Sequence, residues 1–477
     1  MNIFFRKIKN SQQGLSTLEM LIAMTLIVLV IGSVLPLVSV GQSTSIDSQT
    51  NQEALYKAQK LIETARADAT QDFNLVNPIS SSPDADPFYA KGLGVKMIDF
   101  WTKEVTSVVS WLGENGKNLT ASITTRLTNP TAASGGDTCD PTISGDWTAP
   151  QVYGYADFPS STGATGIDVR GNKAYVTSDP SSANTDDFYI INVNDPTQKP
   201  LPILGHFSTG YGLTDVRTVG AYSYVTADSA QYQLLVIDVS DSKNLNTSKI
   251  IARRDVTTAG DTAYGNTIFY ADQKIYLGLT ISDGPEFHIF DVSSPANPAE
   301  IGLGYEVGSA INDIVVKNNI AYLATADDNE VIALDISNPA NPTPIGTFSS
   351  VTLTGQSLAL DKGTTLYFGR IGGNGNPKLL AFDTTNLSTP KWTMSMDKQS
   401  GVYVMILRNN LLFMTTADPN DGLQIWDVSN PSGPPIRYDT SPLDIQQNAT
   451  AGSTCSGNLL YVAQRSNKAL QIIGPRP

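Results

Sequence analysis

The chain has few of the residues that most enzyme chemistry uses. Its 477 residues include two histidines, His206 and His288, and two cysteines, Cys139 and Cys455. So small a set gives no zinc cluster, no haem-binding cysteine pair and no Ser-His-Asp constellation. His206 follows Leu204-Gly205 in a strand-like stretch, and His288 sits within Glu286-Phe287-His288-Ile289-Phe290. Both read as residues that pack or cap strands. Gly372-Gly373-Asn374-Gly375-Asn376 is glycine-rich, but the Lys and Ser/Thr of a phosphate-binding loop do not follow it, so it reads as a loop. The expectation is a protein that is not an enzyme.

Charge is also scarce, at 16% of residues, and unbalanced: 31 basic against 45 acidic, a formal net charge of −14. An acidic surface repels phosphate backbones, so no nucleic-acid partner is expected. No cofactor is expected. Calcium is the weak exception, because oxygen ligands cluster in Asp327-Asp328-Asn329-Glu330 and Asp418-Pro419-Asn420-Asp421-Gly422. Neither run has EF-hand spacing. Asp327, Asp328, Asp418 and Asp421 are therefore weak metal candidates, and solvated turns are the plainer reading.

In one region charge is missing altogether. Residues 20–46 contain no charged side chain, enough for roughly 40 Å of helix at about 1.5 Å per residue. A bilayer core needs about 20 apolar residues. Arg6, Lys7 and Lys9 precede the run, which keeps its start on the cytoplasmic side. Between them and the run lies Gln13-Gly14-Leu15-Ser16-Thr17-Leu18-Glu19. This stretch resembles the class III signal of type IV pilins and of the pseudopilins of type II secretion. A plain signal anchor and a cleaved secretory signal are the alternatives. An acid at the head of an apolar run is costly in lipid, and Glu19 is not explained by either.

The resemblance implies several things. A prepilin peptidase cuts after Gly14 and methylates the new amino terminus at Leu15. In a filament the Glu19 of one subunit pairs with the terminal amine of its neighbour, which makes Glu19 an assembly residue. Pro36 falls where many pilins bend their helix, because proline removes a backbone hydrogen bond; it also suits a helix end. Leu15 departs from the phenylalanine most pilins carry there. The mature chain keeps 28 basic residues against 45 acidic, a net charge of −17. Its implied partners are prepilin peptidase, other pilin subunits through the helix, and the inner membrane before assembly. Its implied final location is the bacterial cell surface, on a pilus-type filament.

Past the membrane segment, residues 46–69 keep a helical rhythm, with Leu55, Ala58, Leu61, Ile62 and Ala65 on one stripe. Residues 73–87 read as loop. Residues 104–111 and 119–127 alternate as strands around Glu114-Asn115-Gly116-Lys117, a strong hairpin turn. This hairpin resembles the sheet of several minor pilins.

About two thirds of the chain repeats. Tyr175, Tyr224, Tyr276, Tyr322, Tyr367, Phe413 and Tyr461 each sit among small apolar residues. A second element is an apolar strand ending in Asp, at Asp238, Asp291, Asp335, Asp383 and Asp427, with Asn192 in the first repeat. An Asp in this position accepts hydrogen bonds from a following turn, a structural task repeated in each unit. A period near 45 with several short strands per unit points to propeller blades of four strands. The last repeat stops short, while residues 150–158 form a strand with no unit of its own. Joining the two closes a ring of seven blades; six is the alternative. Leu235-Val236-Ile237-Asp238 resembles the signature of LVIVD-repeat β-propellers, found mostly in bacterial surface and secreted proteins. Cys139 precedes the closing strand and Cys455 lies on the last repeat, so a disulfide between them would clamp the ring.

The resulting division is a leader at 1–14, a transmembrane pilin-type helix at 15–70, a small pilin-like α+β region at 71–130, a linker at 131–148 and a propeller at 149–477. The fold class is mainly β. The function this implies is a minor pilin that presents a propeller as an adhesion or binding head for an unknown protein or glycan. The alternatives are a pseudopilin-like envelope protein, an envelope-anchored enzyme with a site in the propeller channel, and a purely structural priming subunit.

Overall fold

The computed structural model describes residues 24–25 and most of 49–476; omitted within that span are 70–75, 85, 100–101, 114–115, 129–137, 140–142, 159–162, 181, 183, 259, 327–329, 350–352, 362, 373–375, 397–400, 417, 419, 444, 446–449 and 467. Gly14, Leu15, Glu19 and Pro36 lie outside the described residues, as do Asp327 and Asp328. Among the described residues, no helix is long and apolar enough to cross a membrane.

Two compact units emerge, and each is built on its own. In the first, residues 49–69 are helical and pack on an antiparallel sheet of four strands in sequential order: Ile79–Pro83, Tyr89–Asp99, Thr102–Leu112 and Asn118–Thr128. The core between helix and sheet holds Ala54, Ala58, Tyr89, Val109, Trp111 and Ala121. Small residues on the helix let the aromatic side chains of the sheet approach closely. The buried stripe runs Ala54, Ala58, Ile62, Ala65, and Leu55 is 40% exposed. The expected stripe holds at Ala58, Ile62 and Ala65, which are buried, and at Leu61, which packs against the core; at the first turn Ala54 takes the packed position expected for Leu55. At the hairpin, Gly116 has φ of +68°, and the Gly113 amide donates to the Lys117 carbonyl at 2.9 Å.

The second unit carries seven further sheets. Six of them have four antiparallel strands in simple sequential order. Their first strands are Ala164–Arg170, Leu213–Val219, Gly265–Ala271, Ile311–Lys317, Thr354–Leu360 and Val402–Arg408. The seventh has five strands and joins distant parts of the chain. Thr450–Gly457, Leu459–Gln464 and Leu470–Arg476 come from the C-terminal end. Asp146–Ala156 pairs antiparallel with Leu470–Arg476, and Thr138–Cys139 pairs parallel with Thr450–Gly457. Two stretches expected to be irregular thus contain strands: Ile79–Pro83 within 73–87, and Thr138–Cys139 with the start of Asp146–Ala156 within 131–148.

Each hydrophobic cluster in this unit is shared by two consecutive sheets. Phe188 and Ile190 of the first sheet pack with Leu235 and Ile237 of the second. Tyr322 and Ala333 of the fourth pack with Phe368 and Phe382 of the fifth. The series returns on itself, because Tyr461 and Ile472 of the seventh sheet pack with Tyr189 and Ile191 of the first. A sheet buried on both faces needs apolar residues at successive positions, and third strands such as Leu234–Asp238 are buried at four of five residues. The arrangement is mainly β and propeller-like.

Candidate functional site

The first strands of the seven sheets line a central channel. Its walls include Thr165, Thr214, Asn266, Asn312, Gln356, Tyr403 and Ser453, one from each sheet. Four of these side chains link one sheet to the next. Thr165 Oγ1 donates to the Leu213 carbonyl at 2.5 Å, and Thr214 Oγ1 to the Gly265 carbonyl at 2.6 Å. Asn266 Nδ2 donates to the Ile311 carbonyl at 2.8 Å, and Asn312 Nδ2 to the Gly355 carbonyl at 2.7 Å. Carboxylates make the reciprocal contact. Asp168 accepts from the Thr218 amide at 2.6 Å, Asp215 from the Ile268 amide at 3.1 Å and Asp313 from the Leu358 amide at 2.8 Å.

Asp313 also accepts from the Ile314 amide at 2.8 Å. It opens onto the channel but is enclosed by protein. Burial pushes its carboxyl up to about 7; the bonds from Leu358 and Ile314 and the Arg217 guanidinium oppose the rise, and the Asp215 charge adds to it. The channel holds about 100 Å³. Sites for small organic ligands occupy roughly 300–1,000 Å³, so this space suits water or a single ion.

A larger cavity of about 530 Å³ opens where the fourth and fifth sheets meet. Ile320, Tyr322, Ile345, Leu360 and Leu387 supply its apolar wall, and Thr364, Thr384, Thr385, Asn386 and Ser388 its polar side.

The repeat aspartates occupy one local geometry. Asp238, Asp291, Asp335, Asp383 and Asp427 each accept from the amide two residues on, at 2.8–3.0 Å. Asn192 does the same with Asn194 at 3.0 Å. The Thr385 hydroxyl and amide, helped by Lys391, hold the Asp383 carboxyl down at about 2.

A second repeated polar position was not anticipated. Asp187, Gln233, Glu286, Glu330 and Lys378 each precede the third strand of a sheet, and all are buried. Several of them hold the connection to the next sheet. Asp187 accepts from the Thr209 amide and hydroxyl at 2.8 and 2.6 Å and from the Gly212 amide at 3.2 Å. Burial nevertheless pushes its carboxyl up to about 6. Glu286 accepts from the Val307 and Gly308 amides at 2.8 and 3.0 Å. Glu330 pairs with Arg370 at 2.7 Å, both side chains being buried. The signal in the sequence is a polar residue at the head of five of the seven apolar third strands, with Gly422 and Ala469 before the other two, and its residue type changes from repeat to repeat.

Both histidines are engaged. His206 Nδ1 lies 2.6 Å from Asp186, on a half-exposed ring. His288 is buried between Glu300, at 2.7 Å from Nδ1, and the Pro285 carbonyl, at 2.9 Å from Nε2. Asp418 accepts from the Asn420 amide at 2.9 Å. Asp421 is bonded through both oxygens to Arg437, at 2.7 and 2.8 Å, so a guanidinium stands where a cation was considered. Among the described residues, no group of three or more acidic, histidine or cysteine side chains is placed to hold a metal ion. Cys455 is buried and disulfide-bonded.

Residues 308–350 and 413–440 match the family model described as LVIVD repeat. The chain carries LVIVD repeats. These two matches span the fourth sheet and most of the sixth. No curated protein matches. Among solved structures, a candidate 6-phosphogluconolactonase from Bacteroides fragilis is 13% identical, covering 77% of this chain and 98% of its own, with a TM-score of 0.48. BamB from Moraxella catarrhalis is 13% identical, covering 83% and 95%, with a TM-score of 0.42. A computationally designed protein is 11% identical, covering 68% and 99%, with a TM-score of 0.44.

Proposed function

We propose that this chain is a minor pilin or pilin-like surface protein that presents a closed, seven-bladed LVIVD propeller as a binding head on a type IV pilus-type filament. The observation that carries the reading is the order of parts. A glycine-ended basic leader, Glu19 and an uncharged run stand ahead of a repeat unit whose hydrophobic clusters return to their starting sheet. The helix would anchor the chain in the inner membrane and then among other pilin subunits, after prepilin peptidase has cut at Gly14. A propeller is bulky beside a close-packed shaft, which favours a tip or a sparse position. Closure is supported by the Asp146–Ala156 strand on the seventh sheet. With two cysteines in the chain, we infer that Cys455 bridges to Cys139 and locks that closure.

The leader serves pseudopilins equally well, so a role in a type II secretion-type system is the second reading. A channel enzyme receives less support, since the channel admits little more than water and its polar groups largely tie strands together. Deleting residues 149–477 separates binding from assembly. Filaments that still form but no longer adhere support a binding head. Filaments that fail to form assign the chain a structural role.

A further inference from the structure

We infer that the cavity between the fourth and fifth sheets is a carbohydrate-binding groove that takes an uncharged oligosaccharide. The inference rests on the binding-head reading and names its ligand class. Two independent departures from the repeat carry it.

The first concerns how neighbouring sheets close. At most seams the turn after the repeat Asp presses on the outer strand of the sheet before it. A β-carbon on Gly154 would collide with the Pro196 carbonyl, one on Gly205 with that of Ser242, and one on Gly302 with that of Ala340. Between the second and third sheets, Arg254 donates to the Pro298 carbonyl at 2.7 Å and to Asn297 at 2.8 Å. At the fourth-to-fifth seam the same contact is relaxed. A β-carbon on Gly346 would meet only Leu387, at 3.6–3.8 Å, and there the cavity of about 530 Å³ opens.

The second departure is chemical. In six sheets the residue after the repeat Asp or Asn donates its amide to the turn between the first two strands: Val193, Val239, Val292, Ile336, Thr384 and Val428. The five aliphatic ones are buried. Thr384 alone is polar, and it lines the cavity, where its hydroxyl bonds to the Tyr322 phenol. The aliphatic side chains fill the space at this position in the other five sheets; here a half-buried, hydrogen-bonded hydroxyl takes their place and leaves that space open.

The lining sets the ligand class. Thr364, Thr384, Thr385, Asn386 and Ser388 are uncharged. The Thr385 and Ser388 hydroxyls donate to Asp383 and Asn386 at 2.7 and 2.6 Å, which leaves their lone pairs to accept and the Asn386 amide nitrogen to donate. Ile320, Ile345 and Leu387 supply an apolar surface opposite them. Lys317 is the cation of the lining, and its Nζ is spent on the Asp361 and Gly363 carbonyls at 2.6 and 2.8 Å. A sugar offers the matching surface: hydroxyls that donate and accept around a ring with an apolar C–H face. The volume falls in the usual range for such sites.

The test applies the full chain to an array of immobilised neutral and sialylated oligosaccharides, and to whole host cells. Thr384→Val restores the aliphatic repeat residue, and Gly346→Phe fills the groove. Thermal melts report whether each variant folds. The expected result is binding to a neutral oligosaccharide that falls at least tenfold in either variant that melts like the parent. Sugar binding that survives both substitutions overturns the groove assignment and leaves the binding head standing. Preference for sialylated over neutral sugars overturns the uncharged class. Adhesion to cells with no sugar bound points to a protein ligand and overturns the carbohydrate class. No binding to cells or sugars overturns this inference and the binding-head reading together.

Discussion

At the scale of single residues, the carboxylates divide by where their hydrogen bonds come from. Asp383 and its counterparts are served by the residue two positions on, so the sequence alone shows the arrangement. Asp187 is served by Thr209 and Gly212, and Asp313 by Leu358 across a seam as well as by its neighbour Ile314; no spacing in the sequence reveals the distant partners. The difference appears in their titration. Asp313 rises to about 7 and Asp187 to about 6 because burial disfavours their charge. Such groups bind more protons folded than unfolded between about pH 4, the ordinary carboxylate range, and their folded values. Stability from these two groups therefore falls as pH rises through that window. Asp313→Asn removes the charge but also one of two acceptors. Its melting temperature should lie below the parent's at pH 5, and the gap should narrow by pH 8. A gap that widens contradicts this account of Asp313. Asn312→Ala leaves the Gly355 carbonyl without its 2.7 Å donor and should cost about 1–3 kcal/mol in denaturant unfolding.

At the scale of elements, the hairpin was legible because an Asn-Gly pair favours a tight turn, and Gly116 supplies the left-handed residue there. The strands Tyr89–Asp99 and Ile79–Pro83 were not. The sequence Ile79-Ser80-Ser81-Ser82-Pro83 is exposed throughout and has no apolar face to betray it. The helix at 49–69 was legible in period and in phase through Ala58, Leu61, Ile62 and Ala65; Leu55 was misplaced because an alanine, Ala54, takes the packed face at the first turn. That face gives a paired prediction. Ala58→Leu should destabilise the first unit by about 1–3 kcal/mol through overpacking, while Leu55→Glu, on the exposed side, should change stability by about 0.5 kcal/mol or less. Amide hydrogen exchange of residues 49–69, followed through chemical unfolding, measures both. The groove at the fourth-to-fifth seam was hidden for a related reason: Thr384 looks ordinary until the six equivalent positions are superposed.

At the scale of the whole molecule, closure decides stability. The seventh sheet is built from both ends of the repeat region, and the inferred Cys139–Cys455 bridge ties the same ends. Cys139→Ser and Cys455→Ser should each lower stability by about 2–5 kcal/mol, and the double variant by no more than either single one. Additive losses would show that the two cysteines are not partners. The repeats themselves were legible because each sheet buries both faces and so repeats its apolar strands. The proposed leader rests on Gly14 and Glu19, which lie outside the described residues, so its role in processing and assembly is a matter for direct measurement. The most direct measurement is therefore the intact mass of the chain recovered from the envelope of cells that make it. This account predicts a chain that begins at Leu15 and carries one methyl group, and a Gly14→Ala variant that keeps its leader. A mass starting at Met1, or one from which the uncharged run has been removed, would contradict it.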